Sequence, residues 1–139
     1  MKCCMGRRSL FKVKFSEYFV AIREKLDNSE MIAEVMIVDE RIFRGKGYFR
    51  ARLTLNNGDF LEIAESFAEW DRALVTLDYR YQWMDASKQL LRKRWDSVKH
   101  FPSLDNFPHH VHILEESNVS PGRCRSILEF IDFMESELQ

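Results

Sequence analysis

The sequence predicts an α+β domain, in which one antiparallel sheet of five to six strands carries an N-terminal and a C-terminal helix. Apolar and polar residues alternate over positions 48–55 and again over 75–83, as they do in strands that bury one face. Asn57-Gly58 follows the first of these segments, and this dipeptide is typical of a two-residue hairpin turn. With 139 residues, 45% of them hydrophobic, the chain fits a single domain, 1–139, whose residues 1–10 are expected to be disordered.

The first helix is predicted over residues 16–26, with Ser16 as its N-cap. The apolar side chains of Phe19, Ile22 and Leu26 fall on one face at this spacing. Strands are then expected wherever β-branched and aromatic residues recur between turn residues. They cover residues 31–43, 48–55, 60–67, 75–83, 89–96 and 109–114.

The closing helix is predicted to begin at Ser120-Pro121, with the serine as N-cap and the proline at the first helical position. Its apolar stripe is expected to dock on the sheet and comprises Ile127, Phe130, Ile131, Met134 and Leu138. The segment 97–108 is the longest stretch without a predicted element. Long loops in compact domains often carry function, so this loop is a candidate part of a site.

Composition limits the classes of partner. The net charge is -1, from 21 Lys and Arg against 22 Asp and Glu, so any contact with nucleic acid must come from a local basic patch. Cys3, Cys4 and Cys124 are odd in number and lack metal-binding spacing, which indicates reduced thiols in a cytoplasmic protein. No signal peptide is expected, and no apolar stretch reaches the length of a membrane span.

Three of the four histidines lie in the segment 107–113. Since alternate side chains of a strand share a face, His110 and His112 are expected to point one way, and Val111 and Ile113 toward the core. Imidazole exchanges protons near neutral pH and is a common metal ligand, so two of them side by side form a candidate site. A polar strand face with surface histidines is the alternative interpretation.

A basic strand precedes this segment. Its positive charge beside aromatic residues favours phosphate binding and base stacking. The expected RNA-binding residues are Arg92, Lys93, Trp95, Lys99 and His109. In the alternative interpretation the basic residues are a solvated face, and the aromatic residues belong to the core.

If these strands adjoin, the residue set suits phosphodiester cleavage. His110 and His112 would act as general base and acid, and Arg94 would stabilise the charge on the phosphorus centre. Tyr79, Tyr81 and Asp96 would orient the site.

A metal centre competes with this acid–base chemistry. Its candidate ligands are His109, His110, His112 and Asp96. Adjacent histidines of a strand point to opposite faces, so only His110 and His112 readily share an ion, and a three-histidine site is disfavoured. No metal and no cofactor are therefore predicted. A non-catalytic module that binds nucleic acid or protein through residues 88–99 remains the alternative function.

Several short motifs occur in an order that resembles a known family. They are Asn57-Gly58, Glu62–Phe67, Tyr79–Gln82, Arg94-Trp95-Asp96 and Asn106–His112, of which the Phe-Pro-His-His-x-His segment is the distinctive one. The order is similar to that of the TumE-like toxins of bacterial type II toxin–antitoxin systems and extends over roughly 48–131. The usual family segment is close to Arg-Tyr-Asp-Asn, so Trp95 keeps the aromatic character and Ser97 replaces an amide.

The resemblance implies a small cytoplasmic toxin that acts on RNA and pairs with a separate antitoxin protein. No membrane partner is expected, because no apolar stretch of the sequence reaches the length of a membrane span. The oligomeric state stays open, with a homodimer as one option.

Overall fold

The computed structural model describes the backbone of residues 4–5 and the whole of residues 15–138. The helices are α1 (Phe15–Asn28) and α2 (Ile127–Glu137). The strands are β1 (Cys4–Met5), β2 (Ile32–Phe43), β3 (Lys46–Leu55), β4 (Phe60–Trp70), β5 (Ala73–Met84), β6 (Leu91–Asp96), β7 (His110–Ile113) and β8 (Glu115–Pro121). The predicted α+β class with one helix near each end is confirmed.

The sheet is an antiparallel meander in the order β2-β3-β4-β5-β6-β7-β8, and the short β1 pairs with β5. Each strand of the meander pairs with its neighbours in sequence, since tight turns connect most of them. The turn between β3 and β4 contains Gly58 with a φ of +91°, a conformation that costs glycine nothing. The described sheet has eight strands, two or three more than the sequence predicts.

The sheet has two faces of opposite character. The inner face packs on α1 and α2 and carries fully buried residues such as Leu53, Ile63 and Tyr81, whose ring stacks on Phe130 at 4.2 Å between centroids. The outer face is polar. Across β3 to β7 its central row, aligned by the strand register, is Arg50, Ala64, Arg80, Asp96 and His110.

One acidic residue on the inner face ties both helices to the sheet. The carboxylate of Glu65 accepts hydrogen bonds from the Tyr18 hydroxyl at 2.7 Å, the Thr76 hydroxyl at 2.6 Å and the Ile127 amide at 3.0 Å. Burial raises the pKa of Glu65 to about 7, although these hydrogen bonds act in the opposite direction. Glu65 therefore fixes the first turn of α2 at the cost of a buried carboxyl group.

The start of the closing helix differs from the prediction. Residues 115–121 form β8, and the helix begins at Ile127. Ser126 is the N-cap, and its side chain and that of Glu129 form a capping box. The prediction of a start at Ser120-Pro121 is wrong because Ser120 pairs with Val111 and Pro121 ends a strand at the sheet edge, where a missing amide hydrogen costs little.

Two further predictions need correction. The strand expected over 89–96 begins only at Leu91, because the Asp85 carboxylate accepts hydrogen bonds from the amides of Gln89 and Leu90 and holds them in a turn. Cys124 is in a disulfide bond, so the interpretation of all cysteines as reduced is wrong at this position.

The predicted disorder of residues 1–10 concerns a segment of which only the two residues of β1 are described. Within the described part of the chain, no helix has the length and apolar character needed to cross a membrane.

Candidate active site

The histidine strand β7 confirms the predicted alternation. His110 and His112 lie on the outer face of the sheet, and Val111 between them packs against the core. Strand register sets His110 opposite Asp96 and His112 opposite Arg94 on β6. The pairing thus brings four polar side chains from two adjacent strands into one patch.

We call Arg94, Asp96, His110 and His112 the Asp96 cluster, because the other three side chains converge on this carboxylate. Oδ1 of Asp96 lies 2.9 Å from Nε2 of His110, and Oδ2 lies 3.7 Å from Nε2 of His112. Nε of Arg94 approaches Oδ2 at 3.1 Å. The side chains of Asp96, His110 and His112 are only 3%, 1% and 5% exposed, so the cluster lies beneath the protein surface.

Backbone carbonyls set the orientation of both imidazoles. Nδ1 of His110 lies 2.8 Å from the carbonyl oxygen of Pro108, and Nδ1 of His112 lies 2.8 Å from that of Glu116. A carbonyl oxygen only accepts hydrogen bonds, so each Nδ1 carries a hydrogen and donates it. The nitrogen that faces Asp96 is Nε2 in both rings, and it is the atom left for chemistry.

Arg94 is held by carboxylates on two sides. Besides Asp96, it forms an ion pair with Glu116 at 2.7 Å between Nη2 and Oε2. The hydrogen bond from Arg94 lowers the pKa of the Glu116 carboxyl. Glu116 is well exposed, so this pairing is the one that a phosphate group is able to displace.

The predicted loop covers the cluster. The ring of Phe101 lies 5.4 Å from the ring of His110 and 6.1 Å from that of His112, measured between centroids. The φ of Phe101 is +57°, a backbone conformation that a bulky residue adopts only where its surroundings hold it. Phe101 therefore forms a roof over the two imidazoles.

A cavity of about 1180 Å³ lies next to the cluster on the outer face. Small residues at Ala64 and Ala68 leave space above β4, and Glu62 and Asp78 are the acidic side chains of the lining. Most of the charged side chains in the lining are basic, namely Arg44, Lys46, Arg50, Arg80 and Lys99. Since Arg80 is the strand neighbour of Asp96, the cavity and the cluster are contiguous.

The two tyrosines expected in the site lie on the inner face instead. The Tyr79 hydroxyl is 2.8 Å from Nδ1 of His109, and the Tyr81 hydroxyl donates to the carbonyl of Arg125 at 2.8 Å. The ring of His109 stacks on Tyr79 and points away from the cluster. These side chains support the segment before α2 and do not meet Asp96.

The expected RNA-binding residues separate into two groups. Trp95 is buried against Phe130, and Arg92 forms an ion pair with Asp59 at 2.8 Å. Lys93 lies on the inner-face row, opposite Trp83 and Ile113. Two other members of the set line the cavity, namely Lys99 and His109.

Sequence reasoning missed three residues of this region. Arg80 carries the basic character of the cavity next to the cluster, Phe101 covers the imidazoles, and Glu116 holds Arg94. Alternation along β5 already set Arg80 apart from the tyrosines, and that signal was sufficient to find it. The other two depend on a loop and a polar strand that no periodic pattern predicts.

Comparison with known protein families indicates that this chain is a toxin. The family model described as Toxin TumE matches residues 22–138, which include the whole Asp96 cluster. No curated protein and no solved structure matches the chain significantly.

Proposed function

Because the chain belongs to the TumE toxin family, we propose that it is a toxin whose activity is RNA cleavage at the Asp96 cluster. Family membership implies a cognate antitoxin protein as partner. The single observation that carries the proposal is the convergence of His110, His112 and Arg94 on one carboxylate. These groups can supply a general base, a general acid and a positive charge for phosphodiester cleavage.

The chemistry follows from the groups present. One imidazole, in its neutral form, accepts at Nε2 the proton of a ribose 2′-hydroxyl as its oxygen attacks phosphorus, and the other, protonated at Nε2, donates that proton to the departing 5′-oxygen. Arg94 stabilises the negative charge that grows on the phosphoryl oxygens. Asp96 holds the groups in place, and Tyr79 and Tyr81 are left out of the proposed site because they face the other way.

The cavity supports RNA as the substrate. Its basic side chains suit a phosphate backbone, and Tyr48 and Phe107 in its lining offer faces on which bases stack. Entry of a phosphate group into the cluster requires Phe101 to move aside and Glu116 to release Arg94. The proposed path thus runs from the cavity over Arg80 to the imidazoles.

Replacement of His112 by Asn tests the proposal. The Asn amide keeps a donor for the Glu116 carbonyl and removes Nε2. We expect the wild-type protein, expressed without antitoxin, to arrest growth and fragment cellular RNA, and His112→Asn to do neither. The matched control is His100→Asn, because His100 is exposed in the covering loop outside the cluster.

Equal toxicity of His112→Asn and the wild type would contradict the proposal, provided that thermal melting shows both to be folded. Growth arrest by the wild-type protein while cellular RNA stays intact would also contradict the proposal. RNA binding by the purified wild type without cleavage would instead favour a binding module. In that case charge reversal at Arg80 and Lys99, which line the cavity, is expected to abolish binding.

A further inference from the structure

We infer that Asp96, His110 and His112 form a binding site for a divalent transition-metal cation. The inference stands on the geometry of these three side chains and does not depend on RNA cleavage. It concerns Nε2 of each imidazole and one oxygen of the carboxylate, because these atoms lie within 4.8 Å of one another.

The distances match those between ligands of one ion. A zinc ion binds imidazole nitrogen and carboxylate oxygen at about 2.0–2.2 Å, so two neighbouring ligands lie about 3.0–3.5 Å apart. The observed separations are 2.9 Å between Nε2 of His110 and Oδ1 of Asp96, and 3.7 Å between Nε2 of His112 and Oδ2 of Asp96. Both values lie close to this range, so each imidazole is near enough to the carboxylate to share an ion with it, and the three groups lie within 4.8 Å of one another.

The orientation of His110 favours a positive charge between its ring and Asp96, either a proton on Nε2 or a bound cation. Its Nδ1 donates to the Pro108 carbonyl, and its Nε2 is fully buried 2.9 Å from Asp96 without a hydrogen bond of acceptable geometry. In the neutral ring, Nε2 then presents a lone pair to a carboxylate, which is a costly arrangement for two buried acceptors. A cation between them satisfies both groups.

The surroundings have the features of a metal centre. Ligating histidines usually donate their second ring nitrogen to a carbonyl or carboxylate, as His110 and His112 do here to Pro108 and Glu116. The positive charge of Arg94 is offset by Asp96 and Glu116 together, which leaves the pocket negative while the imidazoles are neutral. A cation is therefore favoured electrostatically.

The donor set indicates the class of ion. Two imidazoles and one carboxylate suit Zn²⁺, Fe²⁺ and related ions better than Ca²⁺ or Mg²⁺, which prefer oxygen ligands. Three protein ligands also leave at least one coordination position for water, as in catalytic zinc sites. With an ion bound, His110, His112 and Asp96 would be its ligands, and the ion would supply a water molecule of lowered pKa.

The test measures ion binding by the purified, tag-free, full-length protein. After dialysis against a chelator, Zn²⁺ is added alone and followed by titration calorimetry, and Co²⁺ is added alone and followed by visible absorption. We expect one equivalent to bind and the melting temperature to rise. Asp96→Asn and His112→Asn are expected to weaken binding at least tenfold, whereas His100→Asn, outside the cluster, is expected to bind like the wild type.

Absence of stoichiometric binding by the folded wild type would overturn the inference, as would unchanged affinity in His112→Asn. The outcome is separable from that of the proposed function. Ion binding without RNA cleavage would support the metal site and reject the proposed activity. Cleavage that survives complete removal of ions, with no binding detected, would reject the metal site and support proton transfer by the imidazoles.

Discussion

Each imidazole of the Asp96 cluster is oriented by a backbone carbonyl. For His112 the carbonyl belongs to Glu116, and for His110 it belongs to Pro108, so the strand and loop backbone set both ring orientations. Side chains held in this way lose little entropy when a ligand binds, because their rotamers are already fixed. The cluster is therefore preorganised by secondary structure.

Burial of Glu65 predicts an unusual pH dependence of stability. Its pKa of about 7 in the folded protein lies above the ordinary value of 4.5, so the folded state binds the proton more tightly. The stability that this group contributes is complete below about 4.5 and is lost as the pH rises through about 7, with a total near 3 kcal/mol. Glu65→Gln has no such carboxyl group. Urea unfolding at pH 5 and pH 8 is expected to show a larger loss of stability for the wild type than for Glu65→Gln.

The comparison between the two proteins removes the contribution of all other titrating groups. Parallel changes of the unfolding free energy in the wild type and in Glu65→Gln would contradict the prediction. Thr76→Val serves as a control, since it removes one hydrogen bond to the carboxylate and leaves the buried acid in place.

At the scale of single residues, the sequence predicted that His110 and His112 lie side by side. It did not predict which side chains of the neighbouring strands surround them. Alternation along a strand divides its side chains into two sets, but it does not decide which set of a neighbouring strand shares the same face. Alternation alone therefore predicts Tyr79 and Tyr81 in the site. In the structure the residue opposite Asp96 on β5 is Arg80. Pairing register depends on the whole sheet and lies beyond a local pattern.

Among the elements, β8 and α2 illustrate how a strand and a helix compete for one segment. Serine followed by proline is a common helix start, and it occurs at 120–121. Serine with glutamate three residues later occurs at 126 and 129 and forms a capping box in the structure. In the structure β8 pairs with the edge of β7, so Ser120-Pro121 ends a strand. The helix begins only after Ser126.

The capping box predicts that replacement of Ser126 lowers the stability of the protein more than replacement of Ser120. Ser126→Ala removes the side chain that accepts the hydrogen bond from the Glu129 amide and is expected to cost about 1 kcal/mol of stability. Ser120→Ala is expected to change stability by less than half of that, because Ser120 caps no helix. Denaturant unfolding of both variants measures this difference.

Equal losses in the two variants would contradict the observed start of α2. Ser136→Ala provides a further control, since Ser136 lies on the exposed side of the same helix and bonds only the Phe133 carbonyl. A strand such as β8 escapes prediction because residues 115–121 are polar apart from Val119 and Pro121, without the alternation that a buried face imposes.

At the scale of the whole molecule, the two faces of the sheet have different roles: one face stabilises the fold and the other carries the candidate site. The inner face holds the apolar core and both helices, and the outer face carries the cluster and the basic cavity. A meander with tight turns makes this separation simple, because every long strand contributes alternate residues to both faces. Substitutions on the outer face are therefore expected to alter binding with little effect on folding.

The basic cavity predicts that the salt dependence of RNA binding changes when basic residues of its lining are replaced. Arg80→Gln and Lys99→Gln each remove a positive charge from its lining. If each contacts one phosphate of single-stranded RNA, its loss reduces the slope of log affinity against log salt by about 0.7. Fluorescence anisotropy with labelled RNA, at several salt concentrations and in the His112→Asn background, measures this slope.

The control for charge is Arg23→Gln, which removes an exposed arginine from α1 on the other side of the sheet. Its slope is expected to equal that of the parent. A change as large as that of Arg80→Gln would show that net charge, rather than the cavity, governs RNA binding.

If the Asp96 cluster carries the activity of the toxin, as proposed above, the roof formed by Phe101 has a consequence for potency. A covered site acts only during the fraction of time for which the cover is displaced. Each 1.4 kcal/mol by which the aromatic contacts with His110 and His112 favour the covered arrangement reduces that fraction about tenfold. For a protein that damages the cell producing it, the packing of one phenylalanine would then set the dose at which a free molecule becomes harmful.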